Sequence, residues 1–180
     1  MSRIVIVGTT GSGKSTLGAS AAQKLQCPLI ELDALFWKPN WVQEDRAVFR
    51  ERVAAALTEE RWVVAGNYSV ARDIVYKRAE SLVWLDYSIG LVLARLFKRT
   101  LKRVVTQEAL WAGNRETWRN AFFSKDTLFL YALKTHWRRR RELPSELQRD
   151  AYRHMNVERF TKPAEAEIWL HKLLDQTWQK

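Results

Sequence analysis

Short apolar runs alternate along the chain with longer stretches whose apolar residues recur at helical spacing. Ile4-Val5-Ile6-Val7 ends at Gly8, Leu29 to Leu32 ends at Asp33, Trp62-Val63-Val64-Ala65 is broken by Gly66-Asn67, and Leu82-Val83-Trp84-Leu85 ends at Asp86. Each reads as a buried strand. Tyr152 to Phe160 reads as a fifth, weakened by His154 and Asn156. Between them, Leu17, Ala21 and Leu25 predict a helix over about 14–26, stopped by Pro28. Val48, Phe49, Val53, Ala56 and Leu57 predict one over about 44–57. Ser69 reads as the cap of a short helix containing Arg72. Leu93, Leu96, Phe97, Leu101 and Val104 stripe a long helix over 90–105, with Arg95, Arg99 and Arg103 together on another face. Residues 106–125 read as a loop with helical pieces. A helix follows over about 126–141 with Pro144 as a break, and Pro163 opens a last amphipathic helix with Ile168, Leu170, Leu173 and Leu174.

Strands alternating with helices imply an α/β fold, a parallel sheet covered on both faces. Ligands of such sheets bind at the carboxyl ends of the strands, where Gly8, Asp33, Gly66 and Asp86 all fall. A length of 180 residues suits a single domain over 1–180. No apolar run reaches the ~20 residues of a membrane span, and the first is too short for a signal peptide. Cys27 is alone, which excludes an internal disulfide or a cysteine metal cluster and suits a reducing, cytoplasmic setting.

Charge sharpens the picture. Between Arg95 and Arg141 lie 13 basic and 3 acidic residues, so this segment carries the whole surplus of +10. Such a field draws polyanions. Gly8-Thr9-Thr10-Gly11-Ser12-Gly13-Lys14-Ser15, followed by Thr16, matches G-x-x-x-x-G-K-[ST] in the setting the motif demands, after a strand and before a helix. The glycines let successive backbone N–H groups curl toward phosphate oxygens, and the helix N-terminus adds positive charge there. Lys14 supplies a point charge for the terminal phosphates, and the Ser15 hydroxyl suits Mg²⁺. ATP and Mg²⁺ are the expected cofactors.

The chain resembles the small P-loop kinases of the adenylate kinase and shikimate kinase type, and among them bacterial adenylate-kinase-related proteins known as "DNA topology modulation" proteins. The resemblance rests on the phosphate loop, Leu32-Asp33-Ala34-Leu35-Phe36-Trp37 with Trp41, Trp62 to Ser69, Trp84-Leu85-Asp86-Tyr87, Leu110-Trp111-Ala112-Gly113-Asn114-Arg115-Glu116 and the Arg138–Arg141 run. It implies a three-layer P-loop NTPase fold with five parallel strands in the order 2-3-1-4-5, an acceptor-binding region over 34–60 and a helical basic lid over about 95–141. Relatives commonly carry an Asp where this chain has Ala65, so the metal falls to Ser15 and, as candidate, Asp33.

Phosphoryl transfer needs positioning and charge neutralisation more than covalent chemistry. Lys14, Asp33, Arg99, Arg103 and Arg115 are the catalytic candidates, with Asp33 orienting or deprotonating the acceptor hydroxyl or serving the metal. The plainer alternative for Asp33 is a strand-ending turn residue. Asp33, Trp37, Asn67 and Arg72 are the acceptor-binding candidates, with an ion pair to Asp73 or another acid as the alternative for Arg72. Trp62, Trp84 and Trp169 are expected in the core, Asp86 is read as structural, and the three histidines receive no role. The reading is a kinase acting on a small anionic or hydroxyl-bearing acceptor, a nucleoside monophosphate included. A second class is a nucleotide-gated nucleic-acid-binding protein, motivated by the basic segment and Ala65. It is not favoured, because no nucleic-acid module is present and the aromatic residues of that segment form no stacking platform.

Overall fold

The computed structural model describes residues 2–119 and 127–175. Strands β1 (Arg3–Gly8), β2 (Leu29–Glu31), β5 (Trp62–Ala65), β6 (Ser81–Leu85) and β7 (Asn156–Phe160) form one parallel sheet in the order β2-β5-β1-β6-β7. Counted along the chain, that is the expected order 2-3-1-4-5. β3 (Trp37–Lys38) and β4 (Val42–Gln43) form a small antiparallel hairpin inside the segment expected to bind the acceptor.

Alternation along the strands splits the core into two layers. Val5, Val7, Val64, Leu82 and Trp84 face α3 (Arg46–Ala56), α4 (Arg72–Arg78) and α6 (Leu128–Leu147) through Phe49, Val53, Val75, Tyr76 and Leu143. Ile4, Ile6, Val63, Val83 and Leu85 face α1 (Lys14–Leu25), α5 (Ile89–Thr106) and α7 (Pro163–Asp175) through Ala21, Leu25, Val92, Trp169 and Leu173. Trp62, Trp84 and Trp169 are buried, as the sequence suggested. Among the described residues no helix is long and apolar enough to cross a membrane.

Several boundaries differ from the periodicity reading. β2 ends at Glu31, and Asp33 sits instead on the one-turn helix α2 (Leu32–Phe36). The last strand begins only at Asn156, because residues 150–152 wind into a 3-10 turn. Ser69 does not cap a helix with its side chain and lies in a 3-10 turn ahead of α4. α6 runs through Pro144, the expected break. Buried Leu143 and partly buried Leu147 anchor that turn in the core, which outweighs the one backbone hydrogen bond a proline removes. The stripe of α5 is rotated by about one residue, burying Val92, Leu96, Thr100 and Val104 and leaving Phe97 half exposed. The expected start of α6 near Asp126, and residues 120–126 of the expected lid, lie outside the described residues.

Candidate active site

The phosphate loop joins β1 to α1 over the carboxyl edge of the sheet. Gly11 and Gly13 hold φ of 84° and 98°, a region costly for residues with a Cβ, and Gly13 leads into α1. A Cβ on Gly8 would lie 2.6 Å from Ser12 Oγ and 2.8 Å from the Leu85 carbonyl oxygen. The turn is closed by Ser12 N–H donating to the Thr9 carbonyl at 3.0 Å. Lys14 Nζ donates to the same carbonyl at 3.1 Å. Its ammonium is driven down to a pKa of about 7, first by burial and then by Arg139 and Arg99, while Asp33 and Glu31 oppose the shift. A polyanion on this spot would reverse the unfavourable part, so the residues present fit the phosphates of a nucleotide.

The loop floors a cleft of about 750 Å³. Thr10 to Thr16 line it on one side, Glu31 and Ala65 at the strand ends with Asp33 on α2, and Arg95, Arg99 and Arg103 along α5. The three arginines, four residues apart, thus face the cleft together, as their spacing required. Burial lowers the pKa of Arg99, with Arg103 as the second cause. Arg103 pairs with the buried Glu116 at 3.2 Å, and Arg95 donates to the Ser12 carbonyl at 3.3 Å and lies over the Tyr87 ring.

Asp33 is oriented by Tyr68, whose hydroxyl donates to Oδ1. Burial, the Asp33 charge and this bond all push the Tyr68 pKa up, so the phenol stays protonated. Beside it, Glu31 pairs in register with Ala65 on the neighbouring strand. A carboxylate therefore stands one strand away from the missing acid. Among the described residues no three His, Cys, Asp or Glu side chains gather into a metal site of their own. Ser15, Asp33 and Glu31 offer only hard oxygens on one cleft, a donor set that suits Mg²⁺ completed by phosphate and water.

Other candidates lie outside the cleft lining. Arg115 projects an exposed side chain, and its carbonyl accepts from Trp41 Nε1 at 3.2 Å. Arg72 is 3.7 Å from Glu146 and lies over the Tyr76 ring, while Asp73 pairs with Arg50 instead. Trp37 packs edge-on against Phe36 and Trp41 in the hairpin. Asn67, with its amide oxygen turned to Arg139, accepts from Nε and Nη2 at 2.5 and 3.1 Å. Asn114 docks on the hairpin, accepting from Trp41 N–H and donating to the Lys38 carbonyl, both at 2.9 Å. Trp111 Nε1 donates to Glu31 at 3.3 Å.

The four-arginine run diverges as helix geometry requires. Arg138 pairs loosely with Glu142, Arg141 is exposed, and Arg140 joins Arg159 on the buried Asp86. Asp86 is therefore structural, tying α6 to β6 and β7. Arg139 turns inward and donates to Thr9 Oγ1 at 3.1 Å. His136, one turn earlier, meets the same hydroxyl at 3.2 Å. Sequence reasoning missed both, although their i, i+3 spacing places them on one face. It missed Tyr68 inside the Trp62 to Ser69 stretch, and Glu31, whose relation to Ala65 exists only once the strands pair.

Two kinds of likeness bear on this geometry. The sequence is 32% identical over 111 residues to a shikimate kinase of Sulfurihydrogenibium sp. (strain YO3AOP1), 53% of this chain and 67% of that one. It is 35% identical over 107 residues to a shikimate kinase of Gloeobacter violaceus, 52% and 60%. The match thus spans about two thirds of these relatives. In fold it resembles a shikimate kinase from Acinetobacter baumannii in complex with shikimate, at TM-score 0.58 and 17% identity over 100% of this chain and 96% of that one. It also resembles a gluconokinase from Sinorhizobium meliloti 1021, at TM-score 0.53 and 21% identity over 98% and 95%. The expected nearer likeness to the "DNA topology modulation" group finds no support in these matches. The shikimate kinase family model matches residues 10–156, from inside the phosphate loop into the last strand, and so the chain belongs to the shikimate kinase family of P-loop phosphotransferases.

Proposed function

We propose that the protein transfers the γ-phosphoryl group of ATP to a hydroxyl of a small polyhydroxylated carboxylate of the shikimate kind. The observation that carries this reading is that Lys14 and Asp33 line one cleft, a cation for phosphate and a carboxylate for a hydroxyl. The loop amides and Lys14 hold the triphosphate tail. Tyr68 occupies one oxygen of Asp33, leaving Oδ2 to accept the proton as the acceptor oxygen bonds to the γ-phosphorus and ADP leaves. Arg99 and Arg103 offset charge on the transferring group, and the lid segment limits water. Ser15 and Glu31 would hold Mg²⁺, which supplies Lewis-acid neutralisation of the phosphates when bound, and Asp33 is left to the acceptor hydroxyl.

A carboxylated acceptor is favoured by Arg139. Of its five N–H groups, Thr9 and Asn67 engage about three, leaving about two for an anion. Family membership favours the same acceptor class over a nucleoside monophosphate. Arg72 and Arg115 act at most indirectly in this reading, through Glu146 and the lid backbone. Five of the thirteen basic residues behind the nucleic-acid alternative are turned into the cleft or the fold. Arg95, Arg99 and Arg103 line the cleft, and Arg139 and Arg140 point into the structure. A coupled ADP-release assay over shikimate, gluconate and nucleoside monophosphates tests the reading. Stimulation by a hydroxylated carboxylate, abolished in Lys14→Met, is expected. Stimulation by nucleoside monophosphates alone would overturn the acceptor class.

A further inference from the structure

We propose that His136 is a positioning residue for the phosphate loop, holding Thr9 so that the loop keeps the pose that receives polyphosphate. The proposal rests on the reading of that loop as a nucleotide cradle.

Thr9 is the point where helix α6 grips the loop. Its side chain is 4% exposed, and its hydroxyl meets His136 Nδ1 at 3.2 Å and Arg139 Nη1 at 3.1 Å. Its carbonyl, on the other side, accepts from the Ser12 N–H and from Lys14 Nζ. One residue therefore joins α6 to the ammonium that faces phosphate. The hydroxyl has one proton to give and two lone pairs. Arg139 can only donate, so it takes a lone pair, and the hydroxyl proton is free to go to His136 Nδ1. In that arrangement His136 is the neutral Nε2–H tautomer. His136 is 2% exposed and among the described residues its Nε2 has no partner, a position where a second positive charge beside Arg139 and Arg140 would be costly. Arg139 alone cannot replace it, because a donor leaves the hydroxyl proton unplaced and the rotor free.

α6 is itself fixed to the sheet by Arg140 on Asp86. The grip on Thr9 thus connects the loop to a rigid element rather than to solvent. Removing it leaves the cradle formed but mobile, and ordering it again is charged against nucleotide binding.

The test measures Mg²⁺–ADP binding by calorimetry in His136→Phe and His136→Asn, with nucleotide-free melting curves beside them. Asparagine keeps a polar atom at the Nδ1 position, and phenylalanine keeps only the volume. The Phe variant is expected to bind ADP about tenfold more weakly, as for loss of one net hydrogen bond, and the Asn variant within about twofold of the parent. Thr9→Val and Thr9→Ser repeat the comparison from the other partner, and they decide the matter where the Phe variant fails to fold. Parental ADP affinity in both His136→Phe and Thr9→Val overturns the proposal. Equal weakening in Asn and Phe variants does so too, since that marks a packing role. A parent protein that binds no ADP overturns the cradle reading itself.

Discussion

Binding of a nucleotide should pull a proton onto Lys14. In the free protein its pKa is about 7 against an ordinary 10.5, because burial and the Arg139 and Arg99 guanidinium groups outweigh Asp33 and Glu31. At pH 8 only about one tenth of the side chain is then charged. Phosphate oxygens against the ammonium restore a high pKa, so binding at pH 8 takes up about 0.9 proton, and about 0.5 at pH 7. Above pH 7 the apparent affinity for ADP accordingly falls, by up to about tenfold per unit. Calorimetry of Mg²⁺–ADP binding at pH 8 in two buffers of different ionisation enthalpy reads the uptake directly. The phosphates themselves are fully ionised there in both states. Lys14→Arg keeps a cation that does not titrate, and should abolish the uptake. An uptake near zero in the parent, or one equal in Lys14→Arg, would refute the account of the loop's electrostatics. The same shift has a consequence for stability. The unfolded chain binds the extra proton between about pH 7 and 10.5, so this group makes the nucleotide-free protein more stable as pH rises through that window.

Three further outcomes are expected. Gly11→Ala places a Cβ 2.9 Å from the Val92 carbonyl at a φ of 84°, and should weaken ADP binding by at least about tenfold by calorimetry. Asp86→Asn removes the charge shared by Arg140 and Arg159; both arginines are partly exposed and screened, so denaturant unfolding should show a loss of about 1–3 kcal/mol. Asn114→Ala releases the Trp41 N–H and Lys38 carbonyl that join the lid to the hairpin, and should raise KM for the acceptor about two- to tenfold, more than it raises KM for ATP.

The parts of this molecule written in local sequence were readable there. Gly8 to Thr16 between a β-branched strand and a helix is a local pattern, and so is the four-residue spacing that puts Arg95, Arg99 and Arg103 on one side of α5. What stayed hidden depends on pairing between distant segments. Glu31 gains meaning only opposite Ala65 in the sheet register, and the exposure of the Arg115 side chain, whose carbonyl receives Trp41 Nε1, shows only once distant segments pack. His136 looked inert because its partner, Thr9, lies 127 residues away. Pro144 misled for the same reason, since buried Leu143, and not local propensity, carries α6 through it.

The most direct measurement follows the labelled γ-phosphoryl group of ATP, with Mg²⁺ and shikimate or a related hydroxylated carboxylate, through a single turnover. The account predicts label in an acid-stable phosphoester of the acceptor, lost in Lys14→Met and in Asp33→Asn. Nucleotide bound normally while label passes only to water, whichever hydroxylated carboxylate is supplied, would contradict it.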